Sequence, residues 1–560
     1  MQHSPTSLPR VLGPWIATAI VVGTVIGSGV FKKGRNVAEN VPEFGMAMAV
    51  WVLGGVLTLL GAFALAEVAV LYPRAGGNYV FLREAYGRWA GFLWGWVEFW
   101  IIRSASIAAL ATMFTESFHD VLKQSLYPGQ QVEVLSFWAR QSLSALVIAG
   151  LAAVNARGAW LGGGLQFLIT LVKVSSLLFI ISLPFAVSAA VSQPTYPPKI
   201  EYLSPFWPSN WLGVSWGGFG VALIGVLWAY NGWMNIAPIA EEVREPNRNI
   251  PLSLFIGVLV LIALYCGANF AYYLIIPRIE MAGLNKDTTV ATEFCFRLLG
   301  PTGAIIASAI VMTSVFGALN GNLLVGPRLL YAMGHDRLAP ASLSRLHAKY
   351  RTPVIATIVM AGWSCLLVLA VGALTQYRLP TIPLGERFKL TNQVFIALER
   401  ENVPESVLVK LTPLENKEFS RDAIVQEIST LLNTDETKQF QILILNHARV
   451  VTELNLNIPA GKSPFDVMTD FAIFGSVTFE TLAVASIFVF RRRIPVTREN
   501  RPYRCWGYPV VPAVYVAIMA AVIFTFFATE EQRSEALVGV GFIALGAVVY
   551  FTLFRERRQP

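Results

Sequence analysis

Val21-Val-Gly-Thr-Val-Ile-Gly-Ser-Gly-Val-Phe31 sets glycines at 23, 27 and 29 inside an apolar stretch running from about residue 11 to residue 31. About 20 such residues cross a bilayer as a helix. Glycine in a helix interior costs about 1 kcal/mol relative to alanine. Within hydrocarbon, a break in the helix is tolerated only where the freed backbone is buried or lines a wet cavity. The stretch therefore predicts a spanning helix unwound at its middle. The other reading of the same spacing is a small-residue face that lets a second helix pack closely.

The rest of the chain is of the same kind. Of its 560 residues, 55% are hydrophobic and 14% charged, and mean hydropathy is +0.55, whereas a soluble domain is nearer a quarter charged. Apolar runs predict twelve spans near 11–31, 45–72, 89–115, 141–155, 163–188, 217–241, 251–276, 301–333, 353–375, 466–490, 508–528 and 536–554. The expected fold class is an all-α polytopic membrane protein.

A net charge of +8 would point to nucleic acid in a soluble protein, but here Lys and Arg gather in alternate loops. Arg74, Arg83 and Arg88 follow the second span, Arg244 and Arg248 the sixth, and Arg328, Arg337, Arg345, Lys349 and Arg351 the eighth. Arg491 to Arg493, Arg498, Arg501 and Arg504 follow the tenth, and Arg555, Arg557 and Arg558 close the chain. The positive-inside rule then makes these loops and both termini cytoplasmic, with Lys32, Lys33 and Arg35 an exception on the outer side. No nucleic-acid partner is expected. The segment before Val11 is short and polar, so no removable signal peptide is expected.

Residues 376–464 differ in composition, being polar and charged as in Glu386-Arg-Phe-Lys389 and Glu399-Arg-Glu401. They separate a first membrane part, 1–375, from a second, 465–560. An odd number of crossings from a cytoplasmic N-terminus places this insert outside. Apolar residues at Ala423, Ile424, Ile428, Leu431 and Leu432 behind Ser420 predict a helix over 421–432. A second helix is expected over 437–451, although 441–445 also passes as a strand. The insert is expected to be small and mainly helical.

Span six repeats the anomaly of span one. Trp228-Ala-Tyr-Asn-Gly-Trp233 interrupts an apolar run, and Pro238 follows. Two broken helices five spans apart are the pattern of an inverted-repeat transporter with its site at the midplane. Unwound backbone offers N–H groups at a half-helix N-terminus and carbonyls opposite. An α-amino acid presents the carboxylate and the ammonium that suit them.

The sequence resembles the amino acid–polyamine–organocation transporters, and among them the L-type branch and its bacterial relatives. The resemblance rests on Gly23-Thr-Val-Ile-Gly-Ser-Gly-Val-Phe31, Tyr72-Pro-Arg-Ala-Gly-Gly-Asn-Tyr79, Trp228-Ala-Tyr-Asn-Gly-Trp233 and Glu241-Glu-Val-Arg-Glu-Pro-Asn-Arg-Asn-Ile-Pro251. Gly317-Ala-Leu-Asn-Gly321, Gly326-Pro-Arg-Leu-Leu-Tyr-Ala-Met333, Arg501-Pro-Tyr-Arg504 and Gly507-Tyr-Pro509 continue it in order. It implies a LeuT-like fold of two inverted five-helix repeats plus two C-terminal helices. It also implies that the amino-acid backbone sits on Ile26, Gly27, Ser28 and Gly29, and on Trp228, Ala229, Tyr230 and Asn231. Asn231 stands where relatives have Gly or Asp, so side-chain specificity does not transfer.

Lys173 lies mid-span, too deep to snorkel, and an intramembrane lysine is a functional residue by default. In the family resembled, such a lysine replaces a sodium ion; its protonation couples transport to protons in some members and it is a fixed charge on span-one carbonyls in pure exchangers. Both roles stay open. Glu98 and Arg103 are expected to pair structurally, and Glu67, Glu241, Glu242 and Arg328 to pair near the cytoplasmic ends.

No phosphate-binding loop or nucleophile elbow is present, so no catalytic residue, metal or cofactor is expected and the chain is read as a non-enzyme. Cys266, Cys295, Cys365 and Cys505 have no metal-ligand spacing. The outer loop 119–141 has no cysteine, so no disulfide-linked heavy subunit is expected. The expected function is secondary transport of neutral or small α-amino acids, by proton symport or exchange, in a bacterial inner membrane. Cationic amino acids or polyamines rank lower, because spans one, three, six and eight offer only Glu98 near the site. A transporter-like sensor using the insert ranks lower still.

Overall fold

The structure, a computed structural model, describes residues 8–127, 130, 132–192, 194–285, 288–376, 382–401, 403–454, 464–495, 497, 501–528 and 530–554. Arg498 and the tail arginines 555, 557 and 558, which carry part of the charge reading, lie outside the described residues. The chain divides into two compact units, one of residues 1–372 with 462–560 and one of residues 373–461.

The larger unit is helical. α1 (Pro14–Val25) and α2 (Gly29–Asn40) are followed by α3 (Phe44–Leu71) and by α4 (Asn78–Tyr86), which is too short to span. α5 (Arg88–Val97), a π-helical turn (Glu98–Arg103) and α6 (Ser104–Leu126) form one continuous span. Then come α7 (Phe137–Ala156), α8 (Ala159–Ala190), α9 (Trp216–Tyr230), α10 (Pro246–Ile275), the short α11 (Arg278–Ala282), α12 (Val290–Val325), α13 (Pro327–His335) and α14 (Val354–Gln376).

Eleven helices among the described residues are long and apolar enough to cross a membrane, and twelve if the bent pair α1 and α2 counts as one. The first span is longer than its sequence reading, because Lys32, Lys33 and Arg35 continue it as the amphipathic helix α2. α12 kinks at Gly300, whose φ of 64° a side chain would strain, with Pro301 next.

Burial is polar inward and apolar outward, as lipid requires. α8 buries Gln166, Ile169, Thr170, Lys173, Leu177 and Ile180 at helical spacing. It exposes Leu168, Leu171, Val172, Leu178 and Phe179. This stripe turns the polar groups of α8 toward α1.

The smaller unit has its own core of Phe388, Leu398, Val407, Leu411, Ile424, Ile428 and Ile444. Four helices, α15 (Asn392–Arg400), α16 (Glu405–Leu411), α17 (Arg421–Leu431) and α18 (Thr434–Ala448), accompany three strands. β1 (Ile382–Lys389) pairs antiparallel with β2 (Glu418–Phe419) and β3 (Arg449–Leu454) in the order β2-β1-β3. Ser420 caps α17 by accepting from Ala423 N.

Before α18, Asn433 and Glu436 exchange backbone-to-side-chain hydrogen bonds. This capping box starts the helix earlier than its apolar spacing indicates. Residues 441–445 are helical, and the β-branched run Val450-Val-Thr452 takes the strand. The sheet is the feature the sequence reading missed, since β1 finds its partners far along the chain. α19 (Pro464–Arg493), α20 (Val510–Ala528) and α21 (Glu530–Val549) complete the larger unit.

Candidate functional site

Both anticipated breaks are present. α1 ends at Val25, Ile26 turns to an extended ψ of 91°, and α2 starts at Gly29 with its axis bent by 42°. The first N–H groups of a helix have no intrahelical acceptor; at the start of α2, Phe31 N and Lys32 N turn back to Ser28 O, and the N–H groups of Gly29 and Val30 come before them at the break. α9 ends at Tyr230, and Gly232 at φ 110° turns the chain into single turns of 3-10 helix. The left-handed conformation at Gly232 is one that a side chain resists.

The two breaks touch. Thr24 Oγ1 donates to Gly232 O at 3.1 Å. The single proton of Tyr265 Oη lies between two acceptors, Val25 O at 3.0 Å and Ala229 O at 3.1 Å, joining the end of α1 to the end of α9. A Cβ on Gly29 would lie 2.5 Å from Ala229 Cα. That glycine is therefore what allows α2 to reach α9, and close packing and unwinding, alternatives in the sequence, occur together.

Between the breaks lies a cavity with about 420 Å³ of space between atoms. Gly27, Ser28 and Gly29 line it from one side and Trp228, Ala229 and Asn231 from the other. Ile26 and Tyr230 sit behind it. Ile26 is fully buried with its carbonyl engaged, and the Tyr230 ring packs 5.0 Å from that of Tyr265 while its hydroxyl donates to Trp51 O. Ser106, Asn235 and Asn322 also line the cavity and were not anticipated.

Lys173 reaches α1 from α8. Its Nζ donates to Gly23 O at 2.7 Å and Ile26 O at 2.6 Å. Ser314 of α12 donates to Ile26 O and Gly27 O, both at 3.2 Å. The Lys173 amine and the Ser314 hydroxyl thus satisfy carbonyls that the break releases. Lys173 is 2% exposed and has no carboxylate partner among the described residues.

The amino acid permease family matches residues 12–554. The chain belongs to that family. A serine/threonine exchanger of Bacillus subtilis is 31% identical over 376 residues, 66% of this chain and 78% of the relative. A human b(0,+)-type amino acid transporter is 30% identical over 353 residues, 63% of this chain and 68% of the relative. A mouse Asc-type amino acid transporter is 28% identical over 368 residues, 65% of each chain. The permease is accordingly an integral membrane protein of amino-acid transport, in a family of transporters and not of enzymes.

Away from this cavity the permease's charged motifs pair off. Arg328 lies against Glu242 at 2.9 Å with both side chains 1% exposed. Glu241 accepts from Leu8 N and Ala75 N. Glu67 accepts two bonds of 2.7 Å from Arg491, one from Arg501 and one of 2.6 Å from Cys505 N. Asp336 accepts from Arg83 and, at 2.6 Å, from Tyr79 Oη. Burial first and the Asp336 contact second push the Tyr79 phenol well up, keeping it a donor.

In the third span Arg103 Nε donates to Glu98 at 2.8 Å across the π-helical turn, so these two do pair. The residue that sequence reasoning passed over is Glu480 of α19. It accepts from Asn231 Nδ2 at 3.0 Å and from Ser476 Oγ at 2.7 Å. The signal was available, since Glu480 is the carboxylate in the middle of an apolar run.

Proposed function

We propose that the protein exchanges amino acids across a membrane by alternating access, reading the α-carboxylate and α-ammonium through the two broken helices. The observation that carries this reading is the cavity shared by Gly27, Ser28 and Gly29 with Trp228, Ala229 and Asn231. The carboxylate sits on the N–H groups opening α2, and the ammonium faces the carbonyls closing α9. Breaks in spans one and six support two inverted five-helix repeats followed by two further helices.

Exchange is preferred to proton symport because a relative is named an exchanger. The donation of Lys173 Nζ to the carbonyls of Gly23 and Ile26 suits a fixed charge and a titrating amine alike, and the transport measurement below separates them. The sequence expectation of neutral or small substrates stands for the backbone site, which holds no carboxylate.

Both termini are cytoplasmic and the insert external in this proposal, on the strength of the arginines after even-numbered spans, in a bacterial inner membrane. The outer loop 119–141 has no cysteine, which supports a protein working without a disulfide-linked second subunit.

The test is uptake of labelled amino acids into proteoliposomes. Uptake that requires amino acid inside and ignores an inward proton gradient is expected. Uptake that follows the gradient and is lost in Lys173→Ala would make the protein a proton symporter. No uptake of any amino acid would overturn the transport reading.

A further inference from the structure

Next to the backbone site is a second, narrow cavity. The two share Ser106, Asn231, Gly232, Asn235 and Asn322. A substrate held by its backbone at the breaks would therefore extend its side chain toward the second cavity. Its charged lining is Glu98 and Arg103 from the third span and Glu480 from α19.

The polar groups there are not balanced. Arg103 is used by Glu98 and by Asn322 Oδ1. Glu98 is 3% exposed, and its Oε2 is buried without a hydrogen-bond partner. Asn78, 5% exposed on the same lining, gives its Nδ2 to Met234 Sδ and leaves Oδ1 without a partner. Both unmet atoms are acceptors.

Among the described residues Glu480 accepts hydrogen bonds from neutral donors alone, Asn231 and Ser476. Two carboxylates stand against one guanidinium, so with both carboxylates ionised the low-dielectric site carries one formal negative charge, which a cation would neutralise. The π-helical turn aims Glu98 and Arg103 inward, and such turns inside α-helices gather at functional sites.

The geometry points to a side-chain subsite for positively charged amino acids, in which Glu480 and Glu98 take the ammonium or guanidinium of the substrate. This rests on the transport reading above and extends its substrates to the cationic class. The sequence ranked that class low because it weighed spans one, three, six and eight and left out α19. Asn231 lies between the two cavities. It contributes to the backbone site and, through its amide, fixes the Glu480 carboxylate.

The experiment compares arginine with citrulline, a near-isostere without the charge, using full-length protein in proteoliposomes loaded with alanine. Arginine is expected to exchange with a half-saturation about tenfold or more below that of citrulline, as a charge-assisted bond to carboxylate confers. In Glu480→Gln the arginine-to-citrulline ratio is expected to fall about tenfold, and Glu98→Gln to lower it as well. A glutamate that merely holds Asn231 in place would lower both substrates together and leave the ratio unchanged, overturning the inference. Exchange of alanine and citrulline with no arginine exchange in the unaltered protein would overturn it too while leaving the transport reading intact. Failure of all three substrates would remove both.

Discussion

Thr24 and Gly232 meet at the centre of the molecule, the hydroxyl of the first broken span donating to the carbonyl of the second across 3.1 Å. The one proton of that hydroxyl is shared with Ile20 O, 2.7 Å away within its own helix, so the hydroxyl bridges the end of α1 and the turn after α9. A hinge between them has to stretch or remake this bond.

Thr24→Val keeps the shape and removes the donor. Losing one hydrogen bond and leaving a buried carbonyl unmet costs about 1–3 kcal/mol. Exchange in proteoliposomes is expected to slow several-fold while the variant still extracts and elutes as the parent does. Unchanged exchange rates would show that the breaks move independently of this contact.

Gly29 and Gly27 separate packing from binding. Gly29→Ala drives a Cβ to 2.5 Å from the Ala229 backbone, and such overpacking costs about 1–3 kcal/mol. A lowered melting temperature and loss of transport are expected. At Gly27 an added Cβ meets Ala318 and Leu110 at 3.6 Å, an ordinary contact. Gly27→Ala should melt as the parent does but select smaller substrates, measured by competition across amino acids of increasing size.

Arg328 and Glu242 form a pair buried on both sides. Arg328→Met leaves the Glu242 carboxylate alone and is expected to destabilise by about 3–5 kcal/mol. Adding Glu242→Gln should recover part of that loss. Thermal unfolding in detergent of the two single variants and the double variant gives the comparison, and an additive result would deny the coupling.

The unit 373–461 has its own hydrophobic core, so replacing it by a short flexible linker removes no core residue of the larger unit. Amino-acid exchange is expected to persist in the shortened protein. Its abolition, with the membrane unit still folded, would give the insert a part in transport or sensing.

The breaks at residues 26–28 and 231–232 were legible in the sequence because they are local. Glycines and an asparagine in an apolar run weaken a helix wherever the chain goes, and the close packing that was their other reading calls for the same small residues. The intramembrane Lys173 was legible for the same reason, and its position in the fifth of twelve spans fixed nothing about its partner. The helices of the insert were readable by period and cap, whereas the pairing of β1 with β3 was not, being a matter of residues that share no local pattern.

By itself, then, the sequence determined which segments span, where two of them unwind, and which charges lie too deep to be solvated, all properties of short stretches measured against a hydrocarbon solvent. Only the tertiary structure decided that Lys173 would reach the Gly23 and Ile26 carbonyls, that Ile26 and Tyr230 would stand behind the cavity, and that Glu480 would meet Asn231, 249 positions away. The physical reason is that such contacts are set by which helix faces pack together, and in lipid an apolar face has no preferred neighbour until the small residues and polar groups of both helices are brought into register.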